Sequence, residues 1–100
     1  MNERVEIAMT LTPEQRAQVI DDVQWGIADG TLELGAGVRY LRVTVANLQQ
    51  AQFARMCKTS LRTLIQIEKG EGNPTLKSMN AVFRPFGLQM GVVRRQRKVI

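Results

Sequence analysis

The chain has 100 residues and a mass of 11.3 kDa, with a formal charge of +5, no histidine and one cysteine, Cys57. This composition excludes a histidine-based catalytic triad, a zinc site of His and Cys, and an internal disulfide, and no apolar run approaches the roughly 20 residues of a membrane-spanning helix. The charge is divided: residues 1–33 hold seven acids and two bases for a net −5, whereas residues 34–100 hold two acids and twelve bases for a net +10.

Glu3, Arg4 and Glu6 interrupt the start of the chain, where a secretory signal would be apolar. The first helix signal is Thr12-Pro13-Glu14-Gln15. Thr12 is suited to cap the free N–H groups, Pro13 fits the first helical position, and Gln15 completes a capping box. Ile20, Val23 and Ile27 follow at helical spacing. Trp25 is expected to pack this acidic helix onto the rest of the domain. Asp29-Gly30 ends the helix, because glycine accepts the left-handed conformation there. Asp21 and Asp22 point about 100° apart on a helix and lack a partner base, so they read as a solvated face.

A second helix, roughly residues 34–46, carries Leu34, Val38, Leu41 and Val45 on one stripe. The β-branched run Val43-Thr44-Val45 weakens its end, and Asn47 is a stop. Residues 49–57 form a third helix with Phe53, Ala54 and Met56 on its apolar side. After the polar break Lys58-Thr59-Ser60, Ser60 caps a fourth helix with Leu64 and Ile67 inward and Arg62, Thr63, Gln66 and Lys69 outward. Gly70, Gly72 and Asn73-Pro74 end it. Thr75 caps a fifth helix bearing Leu76, Met79, Val82 and Phe83, which Pro85 and Gly87 stop. From Leu88 to Arg94 the pattern partly alternates, with Leu88, Met90 and Val92 on one side, and reads as a short strand. The run Arg94-Arg95-Gln96-Arg97-Lys98 reads either as a solvated tail or as a phosphate-binding arm.

Two short helices joined by a three-residue polar break, the second closed by glycine, have the outline of a helix-turn-helix. The basic charge over the same region suits a polyanion, while the bland alternative is an ordinary solvated face. A membrane surface fits less well, because no basic amphipathic helix with aromatic anchors is evident. The stretch from Leu48 to Gly70 resembles the Xre/Cro-type helix-turn-helix family. Leu48-Gln49-Gln50-Ala51-Gln52-Phe53-Ala54 matches the family's Leu-Ser-Gln-x-x-Leu-Ala. Leu64-Ile65-Gln66-Ile67-Glu68-Lys69-Gly70 matches its Ile-x-x-Ile-Glu-x-Gly, and Asn73-Pro74-Thr75-Leu76 follows without a gap. The resemblance covers roughly residues 35–90. Lys58 stands where the family usually has glycine and Thr59 where it has an apolar residue, and the helix before Leu48 is one residue longer than the commonest pattern.

The resemblance implies roles for particular residues. The fourth helix would enter the major groove and the third would lie across the backbone. Leu61, Arg62 and Gln66 are then the base-contact candidates. Arg62 suits guanine O6 and N7, Gln66 suits adenine N6 and N7, and Leu61 suits a thymine methyl. Gln50, Lys58, Thr63 and Lys69 are the phosphate-contact candidates, with Gln50 at a helix start where free N–H groups also point outward. Against these roles stand plain solvent exposure for Arg62 and Gln66, core packing for Leu61, and a simple helix-start role for Gln50. Glu68 is expected to orient neighbouring basic side chains or to cap local structure, and Cys57, without a histidine partner, to be a small buried residue rather than a reactive thiol.

The fold class expected is all-α: a five-helix lambda-repressor-like helix-turn-helix domain with an extra N-terminal helix and a short C-terminal β-strand. Residues 1–33 form the acidic helical extension, 34–87 the DNA-binding domain, and 88–100 the strand and basic tail. One recognition helix reads few base pairs, so a homodimer on a palindromic operator is expected, with Leu88, Met90 and Val92 at the dimer contact. The ending Phe86-Gly87-Leu88-Gln89-Met90-Gly91-Val92 is similar to that of HipB-like antitoxins, which implies a toxin protein as a further partner. The function expected is a cytoplasmic transcriptional repressor on double-stranded DNA, with no membrane association, no enzymatic activity and no cofactor or metal. The alternative is a protein-interaction module that keeps the fold without reading DNA.

Overall fold

The structure, a computed structural model, describes residues 11–94. Glu3, Arg4 and Glu6, and the basic run from Arg95 to Lys98, lie outside the described residues. Helix α1 spans Pro13–Asp29 and opens with the expected capping box. The Thr12 hydroxyl accepts from the Gln15 N–H at 3.1 Å, and the Gln15 side-chain oxygen accepts from the Thr12 N–H at 2.9 Å. Val23 is buried, and Val19, Ile20 and Ile27 pack against the core around it. Trp25 does not dock α1 as the sequence suggested, and is 69% exposed. It sits two positions from both Val23 and Ile27, about 200° around the helix from each, so burying those two turns it outward.

Helix α2, Leu34–Tyr40, runs without a break into a π-helical segment, Leu41–Ala46, which closes at Asn47 in the left-handed region with φ 55°. A π turn absorbs an inserted residue by widening the helix. That is how the extra residue before Leu48 is accommodated, and Leu48 N–H donates back to the Arg42 carbonyl at 3.3 Å. The remaining helices are α3, Gln50–Cys57; α4, Leu61–Lys69; and α5, Leu76–Phe83, followed by a 3-10 turn at Arg84–Phe86.

The core lies where the five helices of the described residues converge, on Val23, Val38, Leu41, Phe53, Leu64 and Val82, and the Phe53 and Phe86 rings stack at 5.9 Å between centroids. Two residues read as apolar-stripe members, Met56 and Leu76, are instead exposed. Met56 lies about 100° from the centre of the face formed by Phe53, Ala54 and Cys57, and Leu76 occupies the first turn of α5 beside the Thr75 cap.

The expected C-terminal strand is absent among the described residues. The Leu88 N–H donates to the Phe83 carbonyl at 3.2 Å and the Met90 N–H to the Asn80 side-chain oxygen at 2.7 Å. Leu88 and Met90 pack against the core. The alternation of apolar residues therefore reflects one side of an extended segment resting on α5, with no ladder partner to make it a strand.

Candidate nucleic-acid interface

Helices α3 and α4 are joined by a turn in which Lys58 takes the left-handed conformation, φ 59° and ψ 41°. Its N–H donates to the Arg55 carbonyl and the Thr59 N–H to the Ala54 carbonyl, so two of the last four carbonyls of α3 are satisfied. Lys58 thus adopts the backbone that glycine would adopt with less strain. Ser60 caps α4, its hydroxyl accepting from the Thr63 N–H at 3.0 Å and donating to the Thr63 hydroxyl at 2.8 Å. Leu64 and Ile67 are buried and seat the helix, which ends at Gly70 with φ 70°.

With one side of α4 buried, helical spacing sends Leu61, Arg62, Ile65, Gln66 and Lys69 to the other. Leu61 is 43% exposed, which removes core packing as its main role. Arg62 and Lys69 are exposed, and Lys58 is exposed beside them in the preceding turn. Thr63 and Gln66 are half-buried. The Gln66 side chain lies beside Gly72, where an added Cβ would come within 3.0 Å of the Gln66 side-chain oxygen. The loop after α4 therefore restricts this amide on one side. Ile65 was not singled out from sequence, yet it is half-buried on the outward stripe between Leu61 and Lys69, at a spacing of four residues from each.

A buried polar network ties this helix to the rest of the domain. Arg42 donates to both Glu68 carboxylate oxygens, from Nε at 2.7 Å and from Nη2 at 3.0 Å, and from Nη1 to the Leu48 carbonyl at 2.9 Å. The side chains are 9% and 3% exposed, so the charges neutralise each other away from water. Gln50, at the first position of α3, donates its amide to Glu68 Oε1 at 3.0 Å. Gln50 is therefore half-buried and held in place, with its amide oxygen and second N–H not used by this bond. Glu68 orients an arginine, as expected of it, and also holds a glutamine, which the sequence did not suggest. Arg42 was missed, although its spacing of four residues from Val38 puts a charge on an apolar face, and that was the available signal.

With Glu68 neutralised internally, the outward charges of α3, α4 and their turn are those of Arg55, Lys58, Arg62 and Lys69. Cys57 is buried, and removal from water pushes its thiol up to about 11, against a smaller opposing effect of Arg84. Of the dimer-contact candidates, Leu88 and Met90 are half-buried against their own core and Val92 is 100% exposed. Among the described residues, no helix is long and apolar enough to cross a membrane.

A family model described as helix-turn-helix matches residues 38–92, which is more than half of the chain. The match contains the π segment with Arg42, the α3–turn–α4 unit and α5. No curated protein and no solved structure matches the chain.

Proposed function

The chain belongs to the Xre/Cro-type helix-turn-helix family, whose domain is a DNA-binding regulator, and from that premise we propose that it is a sequence-specific repressor acting on a palindromic operator as a homodimer. The observation that carries this reading is α4 itself. Its inner side is fixed by Leu64, Ile67 and the Arg42–Glu68 pair, while Arg62 and Lys69 are exposed on its outer side with Leu61. In this reading Arg62, Gln66 and Leu61 face base edges. Lys58, Lys69, Thr63 and the unused polar atoms of Gln50 face phosphates. The two-fold contact draws on Leu88, Met90 and Val92, with Val92 contributing the most free surface. A second role as an antitoxin requires a protein-binding surface as well, and the exposed acidic helix α1 is the observation that favours it.

Selection of bound duplexes from random DNA, followed by salt titration of the selected site, tests the proposal. The expected outcome is a palindromic motif with half-sites about one turn apart, near 34–36 Å. If about six phosphates are contacted, log K falls against log salt with a slope near −5. Recovery of no motif together with salt-insensitive binding would reject it in favour of a protein-interaction module.

A further inference from the structure

Between α1 and α2 lies an open groove of about 540 Å³. Its floor comes from Ala36, Tyr40 and Val43, spaced four and three residues apart on α2 and its π extension, with Val23 and Leu32 opposite. Tyr40 and Val43 are 50% and 46% exposed, a large apolar area for residues facing a concave site. Asp22 forms the α1 rim. Gln18, Asp22, Trp25 and Asp29 follow at spacings of four, three and four along the same exposed face of α1. Four acids and one base, Arg16, give α1 a net charge of −3, in a protein that is otherwise basic. Among the described residues, the Asp22 carboxylate accepts from the uncharged Gln18 amide, at 2.8 Å, and Asp29 accepts from Thr31.

The groove also lies away from α4. A Cβ on Gly35 would overlap the Ile67 carbonyl oxygen, whereas one on Gly37 would come within 2.7 Å of Ile27 Cδ1. Helix α4 and helix α1 therefore flank α2 on opposite sides, since residues two apart point about 200° apart. The groove belongs to the α1 side.

We propose that this groove and its acidic rim form a docking surface for a basic amphipathic helix of a partner protein. An apolar stripe at helical spacing would lie on Tyr40, Val43 and Ala36, as in other helix-in-groove recognition. Its lysines or arginines would fall along Asp22 and Asp29, and one of them over the Trp25 ring, whose face attracts cations. Arg39 on the far rim places the partner's cations on the α1 side and so fixes its lateral position. The charge of the rim selects a basic helix over an acidic one. This inference does not depend on the DNA reading, and it deepens the protein-binding role proposed for α1 by naming its site and the chemistry of its partner.

Trp25 is the only tryptophan of the chain and reports directly on the rim. The probe is a synthetic lysine–leucine peptide of about 14 residues, with leucines at helical spacing, titrated into the full-length chain. Its control is the same pattern with glutamate for lysine. Expected is a saturable blue shift of Trp25 emission with the lysine peptide and none with the control. Asp22→Lys, at an exposed helix position, should weaken binding about fivefold or more. Tyr40→Lys, on the groove floor, should abolish it, and thermal unfolding of both variants confirms that they remain folded.

Equal binding of the two peptides, or affinity unchanged in Asp22→Lys, would overturn the proposal. So would a free chain that sediments as a dimer and becomes a monomer in Tyr40→Lys, since the occupant would then be a second copy. Trp25 shielded from acrylamide in the peptide-free Tyr40→Lys chain as well as in the parent would likewise overturn it, by showing that the chain covers this face itself.

Discussion

Arg42 and Glu68, 26 residues apart in sequence, meet in a two-pronged ion pair that joins the π segment to α4. The pair also holds Gln50 at the start of α3 through Glu68 Oε1. Three elements that a polyanion-binding surface must keep in register thus share one buried carboxylate. The widened π turn carries Arg42, so the inserted residue and the network belong to the same local geometry.

Removing one partner leaves the other charged and out of water. Arg42→Ala and Glu68→Ala should each destabilise the fold by about 3–5 kcal/mol, measured by urea unfolding. The double variant Arg42→Met/Glu68→Leu should be less destabilised than either single one, because no buried charge remains. A double variant as unstable as the sum of the singles would show that the pair does not act as a unit.

Lys58→Gly should separate folding from binding. Relief of the left-handed backbone at φ 59° should raise stability by about 1 kcal/mol. If Lys58 contacts a phosphate as proposed, the same change lowers DNA affinity and makes the salt slope shallower by about 0.9. Asn47→Gly relieves a similar φ of 55° and should leave the salt slope unchanged. A Lys58→Gly slope equal to that of the parent chain would remove Lys58 from the phosphate contacts.

Gly35→Ala places a methyl group against the Ile67 carbonyl, and backbone cannot swing aside as a flexible side chain does. Separating α2 from α4 should cost about 1–3 kcal/mol in chemical unfolding. Affinity for DNA should fall by a similar factor on matched and mismatched sequences, because the whole helix moves. A loss confined to one base position would contradict this.

Arg62→Ala tests base reading at its proposed centre. Binding to the selected operator should weaken by about 1–3 kcal/mol, with preference relaxed at one base pair of each half-site. A uniform loss across sequences would move Arg62 to the phosphate contacts.

Cys57 should be inert toward thiol reagents at pH 8 in the folded protein and reactive on unfolding. The folded thiol keeps its proton to about 11, whereas the unfolded one releases it near 9.0. Its burial therefore stabilises the fold fully below pH 9.0, and that contribution declines as pH rises toward about 11. Cys57→Ser should alter this alkaline slope in unfolding curves measured as a function of pH, and an unchanged slope would assign it to other groups.

What could be read from the sequence was local. Thr12-Pro13-Glu14-Gln15, Ser60 and Thr75 mark helix starts because caps act over three residues, and each does so in the structure. Gly30, Gly70 and Gly87 mark stops for the equally local reason of positive φ. The outward position of Arg62 and Lys69 follows from short-range periodicity, whereas the register from Leu48 to Gly70 is what the resemblance to the helix-turn-helix family implies. Trp25 faces solvent because its angular distance from Val23 and Ile27, not its aromatic character, sets its side of α1. The segment after Gly87 alternates without forming a strand among the described residues, because alternation is a property of one segment whereas a strand needs a paired neighbour.

By itself, then, the sequence determined the helix boundaries and the division of charge, which depend on neighbours within a few residues, and, through the family resemblance, the helix-turn-helix register. Only the tertiary structure decided that Arg42 reaches Glu68, that Gln50 is held by the same carboxylate, and that an apolar groove stays open beside an acidic rim. These depend on contacts between elements far apart in the chain, where the close approach of α2 and α4 at Gly35 sets distances that no local pattern encodes.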